Sequence, residues 1–120
     1  MKKILIVEDS KTVVHLISSV LEGHGFTIQV DFNGDQAVNL AKDFKPDMIL
    51  LDVNLPAMDG YQISMLLLED EETRKIPVVV MTTKGGMKDT FALSSNVVDF
   101  IQKPFQFDDL HRMVQKILKI

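Results

Sequence analysis

Short apolar runs alternate along the chain with longer stretches in which apolar residues recur every three or four positions. Such runs are typical of strands that are covered on both faces, and the longer stretches are typical of amphipathic helices. The runs predict five strands, at Ile4 to Val7, Phe26 to Val30, Met48 to Leu51, Val78 to Met81 and Val97 to Ile101.

A helical pattern follows each predicted strand. It is clearest from Val13 to Leu21 and from Leu110 to Leu118, where apolar residues form one continuous helical stripe. The second helix carries Ala37, Leu40, Ala41 and Phe44, and the third is marked by Ile63, Leu66 and Leu67. The stretch from Thr83 to Ser95 has the weakest pattern, and we interpret it as a loop and a short helix.

The alternation of strands and helices predicts the fold class. Five strand-helix units with uniformly apolar strands indicate an α/β fold, a doubly wound five-stranded parallel sheet with five helices. In such sheets the functional site lies beyond the carboxyl ends of the strands, where the winding direction changes. We therefore look for chemistry in the residues that follow each strand.

Composition narrows the classes of protein that remain. The chain has 120 residues, so we expect one domain over residues 1–120. It has no cysteine, which excludes disulfides and thiolate chemistry, and its net charge of −4 makes unaided nucleic-acid binding a poor prediction. No apolar stretch reaches the roughly 20 residues of a membrane helix, so we expect a cytoplasmic protein that does not enter a membrane.

Reactive side chains follow the predicted strands. They are Glu8 and Asp9, then Asp31, Asp52, Thr82 with Thr83, and Lys103. Carboxylates that converge at one edge repel one another unless a hard cation neutralises them, and Mg²⁺ suits such oxygen ligands. A carboxylate beside a divalent ion, an ammonium group and a hydroxyl can attack phosphorus. Asp52 is therefore the expected nucleophile.

Five motifs in this chain resemble those of a known family. They are Ile4-Leu5-Ile6-Val7-Glu8-Asp9-Ser10, Pro46-Asp47-Met48-Ile49-Leu50-Leu51-Asp52, Leu55-Pro56-Ala57-Met58-Asp59-Gly60, Thr82, and Lys103-Pro104-Phe105. In this order and spacing they resemble the receiver domain of two-component response regulators along the whole chain. The resemblance implies the flavodoxin-like, CheY-like fold with strand order 2-1-3-4-5.

The resemblance also implies a set of metal and phosphoryl ligands. Asp52 is expected to accept a phosphoryl group, and Asp9 and Asp52 to ligate Mg²⁺ directly. The backbone carbonyl of Asn54 is expected to complete the protein ligands, and Glu8 to act mainly through bound water. Lys103 is expected to pair with the phosphoryl oxygens, and its bond to the following proline is expected to be cis.

The resemblance also implies a conformational switch that responds to phosphorylation. Thr82 is expected to hydrogen-bond the new phosphoryl group, and Phe100 to turn inward, although Phe100 is equally consistent with an ordinary core residue. The affected surface is expected to comprise the short helix near 87–95, the fifth strand and the last helix. Thr83 is bulkier than the Ala or Gly common at its position in the family, so we expect it to narrow access to Asp52.

The partners implied are a sensor histidine kinase or histidine phosphotransfer protein and a downstream output protein or output domain. The protein is expected to be a phosphoacceptor that assists its own phosphorylation and dephosphorylation, not an enzyme, and to be a monomer or a phosphorylation-dependent homodimer.

The alternative is a pseudo-receiver, a phosphorylation-independent interaction module. A haloacid dehalogenase is disfavoured because that signature needs a second Asp where Asn54 stands.

Overall fold

The computed structural model describes residues 2–53, 55, 58–82 and 95–120. Within these residues the chain forms one five-stranded parallel sheet. Its strands are β1 (Lys3–Val7), β2 (Thr27–Asp31), β3 (Met48–Asp52), β4 (Val78–Thr82) and β5 (Val97–Gln102). All five predicted strands are confirmed, with bounds that differ by a residue or two.

The described residues include four helices. They are α1 (Lys11–Gly23), α2 (Ala37–Phe44), α3 (Gly60–Glu69) and α4 (Phe107–Leu118). Side chains cap two of them at the amino end, because the Ser10 hydroxyl accepts from the amide of Val13 at 3.3 Å and Asp59 accepts from the amide of Gln62 at 2.8 Å. The short helix expected between Thr83 and Ser95 lies almost entirely outside the described residues.

The strand order is β2-β1-β3-β4-β5, which confirms the expected fold. The strand β1 pairs with β2 and with β3, and in this register Val7 lies opposite both Asp31 and Leu51. The carboxyl ends of β1 and β3 therefore meet at one edge of the sheet. The strand order reverses at this point, where an open α/β sheet leaves a crevice for ligands.

Alternate residues of each strand face opposite sides of the sheet, and each side has its own core. Ile4 and Ile6 of β1 pack with α1 and α4, whereas Leu5 and Val7 pack with α2 and α3. Both faces are covered over the inner strands β1, β3 and β4, which is why these strands are largely apolar, whereas the edge strands β2 and β5 have exposed positions such as Gln29 and Val98. None of the described helices is long and apolar enough to cross a membrane.

The structure departs from the sequence prediction at strand ends and in α3. Asp31, Asp52 and Thr82 are the last residues of β2, β3 and β4, so each belongs to its strand and does not follow it. Of the three apolar residues that marked the third helix, Ile63 and Leu67 are buried, whereas Leu66 is 40% exposed. Leu66 lies on the outer side of α3.

Candidate functional site

Three carboxylates meet where β1 and β3 end. Glu8 and Asp9 follow β1, and Asp52 is the last residue of β3. One oxygen of each lies within 4.8 Å of the others, with Glu8 and Asp52 buried and Asp9 exposed. The structure thus brings together three of the four predicted metal ligands.

Glu8 is only 1% exposed, and two hydrogen-bond donors hold its carboxylate in place. The backbone amide of Ser10 donates to one carboxylate oxygen at 3.0 Å, and the ammonium of Lys103 donates to the other. Burial raises the pKa of Glu8, and the hydrogen bonds from Lys103 and Ser10 offset only part of that rise. A buried carboxylate of this kind needs its cationic partner.

Lys103 reaches the same carboxylates from the segment after β5. Its backbone amide donates to the Thr82 carbonyl at 2.7 Å, and its bond to Pro104 is cis, as the resemblance implied. Its ammonium lies 3.3 Å from Asp52 Oδ1. Burial lowers the pKa of Lys103, but the hydrogen bond to Glu8 and the charges of Asp52 and Glu8 outweigh it, so the pKa is raised. Lys103 is therefore an ammonium at neutral pH.

The donor set fits a hard divalent cation. Three carboxylates and one ammonium leave two negative charges without compensation in a partly buried site. Carboxylate oxygens are the ligands that Mg²⁺ prefers, and exposed Asp9 leaves one side open to water and to a substrate. The arrangement can bind a cation and position a nucleophilic carboxylate beside it.

The two predicted switch residues lie on β4, which adjoins the strand of Asp52, and on β5, which adjoins β4. Thr82 ends β4 and is 4% exposed. Asp52 pairs with Met81 in the register between β3 and β4, so Thr82 is one residue beyond the level of Asp52 on the adjoining strand. Phe100 lies opposite Val80 and packs, partly buried, against the core on the α2 and α3 side. Their roles as switch residues stay predictions.

Three other candidate residues are not among the described members of this cluster. Asp31, which also lies at the carboxyl end of a strand, accepts hydrogen bonds from the backbone amides of Asn33 at 3.1 Å and Gln36 at 3.0 Å. It therefore closes the turn into α2, and it is not among the three clustered carboxylates. Asn54 and Thr83 lie outside the described residues.

Gly60 is a residue of the site that the pattern of apolar positions did not single out. A Cβ at this position would lie 2.6 Å from the Asp52 carbonyl oxygen and 3.0 Å from Val53 Cα. The Gly60 amide also donates to the Val53 carbonyl at 3.0 Å. The missing side chain lets α3 start directly against the end of β3. The signal in the sequence was the Asp59-Gly60 pair, an N-cap followed by a residue without a side chain.

An apolar groove opens beside Lys103, between α1 and the segment that follows β5. It has a volume of about 420 Å³ and is lined by Val13, Leu16, Ile17, Lys103, Pro104, Phe105 and Phe107. Leu16 is 45% exposed there. The site is thus bordered by a surface that can accept apolar side chains.

Comparison with known proteins identifies relatives along the whole chain. A family model described as response regulator receiver domain matches residues 4–115. PilH of Pseudomonas aeruginosa is 34% identical over 119 residues, 98% of this chain and 98% of that protein. The DNA-binding dual master transcriptional regulator RpaA of Synechocystis is 33% identical over 120 residues, 99% of this chain but 50% of that protein. The chain spans nearly the whole of one relative and half of the other.

A solved structure has the same architecture. The receiver domain of a sensor histidine kinase from Pseudomonas aeruginosa superposes with a TM-score of 0.90 at 28% identity, covering 99% of this chain and 98% of that one. That domain was crystallised with a magnesium ion coordinated in its active site cleft. Fold and sequence comparisons therefore agree.

Proposed function

Because this chain belongs to the family of response regulator receiver domains, we propose that it works as a phosphorylation switch whose phosphoacceptor is Asp52. It is a receiver domain of the two-component type, and we propose that this domain extends over residues 1–120. The observation that carries the proposal is the cluster of Glu8, Asp9, Asp52 and Lys103 at the carboxyl ends of the strands.

The proposed reaction is a phosphoryl transfer to a carboxylate. An oxygen of Asp52 attacks phosphorus and forms the new O–P bond, while the bond from phosphorus to the donor's histidine nitrogen breaks and its electron pair stays on that nitrogen. The product is an aspartyl phosphate and a free histidine on the donor. Lys103 supports this step because its ammonium, 3.3 Å from Asp52 Oδ1, can bind the oxygens of the transferring group.

The cation proposed for this site is Mg²⁺, held by Asp9 and Asp52 directly, by the backbone carbonyl of Asn54, and by Glu8 mainly through water. When bound, it neutralises charge that develops on the phosphoryl oxygens. The oxygen-only donor set and its uncompensated charge support this assignment. Water that enters from the open side can then attack phosphorus, and the bond from phosphorus to the Asp52 oxygen breaks, which releases inorganic phosphate and restores the carboxylate. Because the same residues hold the phosphoryl group in both steps, the protein assists both its own phosphorylation and its dephosphorylation.

We propose that the signal leaves the site through Thr82 and Phe100. A phosphoryl group on Asp52 offers acceptor oxygens to the Thr82 hydroxyl, and the space that this side chain leaves admits Phe100. The position of Thr82 at the end of the strand beside Asp52 supports the first step. The proposed role of Thr83, narrowing access to Asp52, rests on its size alone.

The proposed phosphodonor is a histidine kinase or a histidine phosphotransfer protein, and the target is an output protein or output domain. The apolar groove beside Lys103 supports a protein donor, because apolar side chains seated there would hold a donor histidine near Asp52. The surface around β5 and α4 is the proposed output face.

A titration with beryllofluoride, an analogue of the phosphoryl group, tests the proposal. We expect saturable amide shifts in the presence of Mg²⁺ at Asp9, Asp52, Thr82 and Lys103 that extend to Phe100 and α4. The Asp52→Asn variant should show none of them, and its spectrum without ligand should match that of the wild type elsewhere.

Two outcomes would contradict the proposal. Equal shifts in Asp52→Asn would mean that the anion binds elsewhere. A well-folded wild type that stays silent at Asp52 would instead identify a pseudo-receiver, whose acidic site binds no phosphoryl group.

A further inference from the structure

The helix α3 is apolar on its outer side as well as on its inner side. Ile63 and Leu67 are buried against the sheet, as expected for a surface helix. Leu66 is 40% exposed, and Tyr61 and Met65 are partly exposed. Gln62 and Glu69 lie on this side too, but a surface helix normally has polar residues across its whole outer side. Here the outer side is uncovered in the described part of the chain.

These outer residues line a groove with two parts that meet at Leu66 and Glu69. One part has a volume of about 410 Å³ and is lined by Met58, Tyr61, Gln62, Met65, Leu66 and Glu69. A second part between α2 and α3 shares Leu66 and Glu69 and adds Asp35, Val38 and Asp70. Contiguous apolar surface with a polar rim marks interaction sites, and methionine adapts well to a bound partner.

Three carboxylates line this groove, Asp35, Glu69 and Asp70, and further acidic residues follow along the chain. The stretch 58–72 contains five carboxylates and no Lys or Arg, and four of the five follow one another from Glu69 to Glu72. They lie at the carboxyl end of α3, where the helix dipole disfavours negative charge. Lys42 of α2 pairs with Asp70 at 2.8 Å and with Glu72 at 3.6 Å. Glu69 and Glu71 form no ion pair within the described residues.

We propose that this groove on α3 binds an amphipathic helix of a partner protein whose apolar stripe is flanked by Lys or Arg. The apolar residues supply the contact area, and the acidic rim selects basic flanks. A second copy of this chain is a poor occupant, since its α3 face would bring carboxylates to carboxylates, and Lys42 already pairs with Asp70 and Glu72. The proposal does not depend on phosphorylation of Asp52, because the groove lies outside the cluster of site carboxylates.

A designed peptide can serve as the probe. The titrant is a helical peptide of about 15 residues that has leucine at every third or fourth position and lysine on both flanks. It would be added to isotope-labelled protein in saturating Mg²⁺. Saturable amide shifts are expected along α3 and at residues 69–72. A scrambled peptide of the same composition, which has the charge but no apolar stripe, should bind at least about tenfold more weakly.

Two matched variants locate the binding. Leu66→Gln should raise the Kd about tenfold, whereas Leu16→Gln, at a leucine of similar exposure on α1, should leave it unchanged. Glu69→Gln should weaken binding less and reduce its dependence on salt. Both leucines are exposed, so thermal unfolding should show that each variant folds.

Several results would overturn the proposal. Shifts centred on Glu8, Asp9 and Asp52, or on the groove at Leu16, would mean that the peptide binds elsewhere. Equal binding of the scrambled peptide would mean that charge alone accounts for the binding and that the apolar stripe contributes nothing. Self-association of the free protein that Leu66→Gln abolishes would identify a second copy as the occupant.

Discussion

At the scale of single residues, the site depends on one buried charge and its partner. Glu8 is almost fully buried, and Lys103 supplies the ammonium that satisfies it while also lying near Asp52. Removing one partner of a buried ion pair leaves the other without compensation, which costs more than the pair itself contributes. Lys103 is therefore expected to matter for stability as well as for phosphoryl transfer.

Replacement of Lys103 by methionine tests this dependence. Without divalent cations, Lys103→Met is expected to lower the free energy of unfolding by about 2 kcal/mol, less than for a fully buried pair because solvent reaches the lysine. Added Mg²⁺ should recover part of the loss, since a cation replaces the missing charge. Urea unfolding with and without Mg²⁺ measures both effects.

The matched control is Arg112→Met, which breaks the exposed ion pair between Arg112 and Asp109 in α4. Exposed pairs contribute little, so its unfolding midpoint should stay close to that of the wild type at either Mg²⁺ concentration. If the two variants lost equal stability, or if Lys103→Met lost none, the account of the buried pair would be wrong.

At the scale of secondary-structure elements, the junction between β3 and α3 sets the position of Asp52. Gly60 allows the first turn of α3 to touch the backbone of Asp52 and Val53. The atoms that a Cβ would meet are backbone atoms, which cannot rotate away. A larger residue must therefore move the strand end or the helix start.

We expect Gly60→Ala to reduce the free energy of unfolding by about 2 kcal/mol, because the added methyl overpacks the junction. The same displacement should weaken beryllofluoride binding in the presence of Mg²⁺, since it moves the acceptor relative to Asp9 and Lys103. Urea unfolding and the amide titration measure the two effects on one sample.

Gly23→Ala is the control for this prediction. Gly23 ends α1, and a Cβ there meets nothing within 4 Å. Alanine should leave stability unchanged or raise it slightly, because it restricts the unfolded chain more than glycine does. Equal losses in both variants would show that close contact at Gly60 is not the cause.

At the scale of the whole molecule, the site joins distant parts of the chain. The contact between Lys103 and Glu8 spans 95 residues, and it links the end of the first strand to the segment after the fifth. These groups converge only in the folded sheet. A cation that binds them therefore binds the folded state and stabilises it by mass action.

Mg²⁺ is accordingly expected to raise the free energy of unfolding by about 1.4 kcal/mol when its free concentration is about ten times its Kd. Asp9→Asn should abolish this increment because it removes an exposed ligand. Without Mg²⁺ the same variant should be at least as stable as the wild type, since one repelling carboxylate is gone. Thermal or urea unfolding across a Mg²⁺ series gives the comparison.

Asp43→Asn, at an exposed position of α2, is the control and should keep the full Mg²⁺ increment. A wild type whose stability does not respond to Mg²⁺ would contradict the proposed site. So would an Asp9→Asn variant that responds as strongly as the wild type.

The sequence by itself determined the strands, most helices and the candidates at the strand ends. Local periodicity carries this information, because a strand covered on both faces must be apolar throughout and a surface helix must repeat every three or four residues. Once the sheet is parallel, the residues after its strands must share an edge. Asp52, Asp9 and Lys103 could therefore be placed near one another without coordinates.

Only the tertiary structure decided what surrounds each of these residues. It buries Glu8 and exposes its neighbour Asp9, and it directs the carboxylate of Asp31 to the backbone amides of Asn33 and Gln36. It exposes Leu66 although Leu66 and Leu67 have the same local pattern. Burial and charge pairing depend on which distant elements cover a position, and local periodicity does not encode those elements. The close approach at Gly60 could not be predicted from periodicity for the same reason. It exists only because the start of α3 is packed against the end of β3.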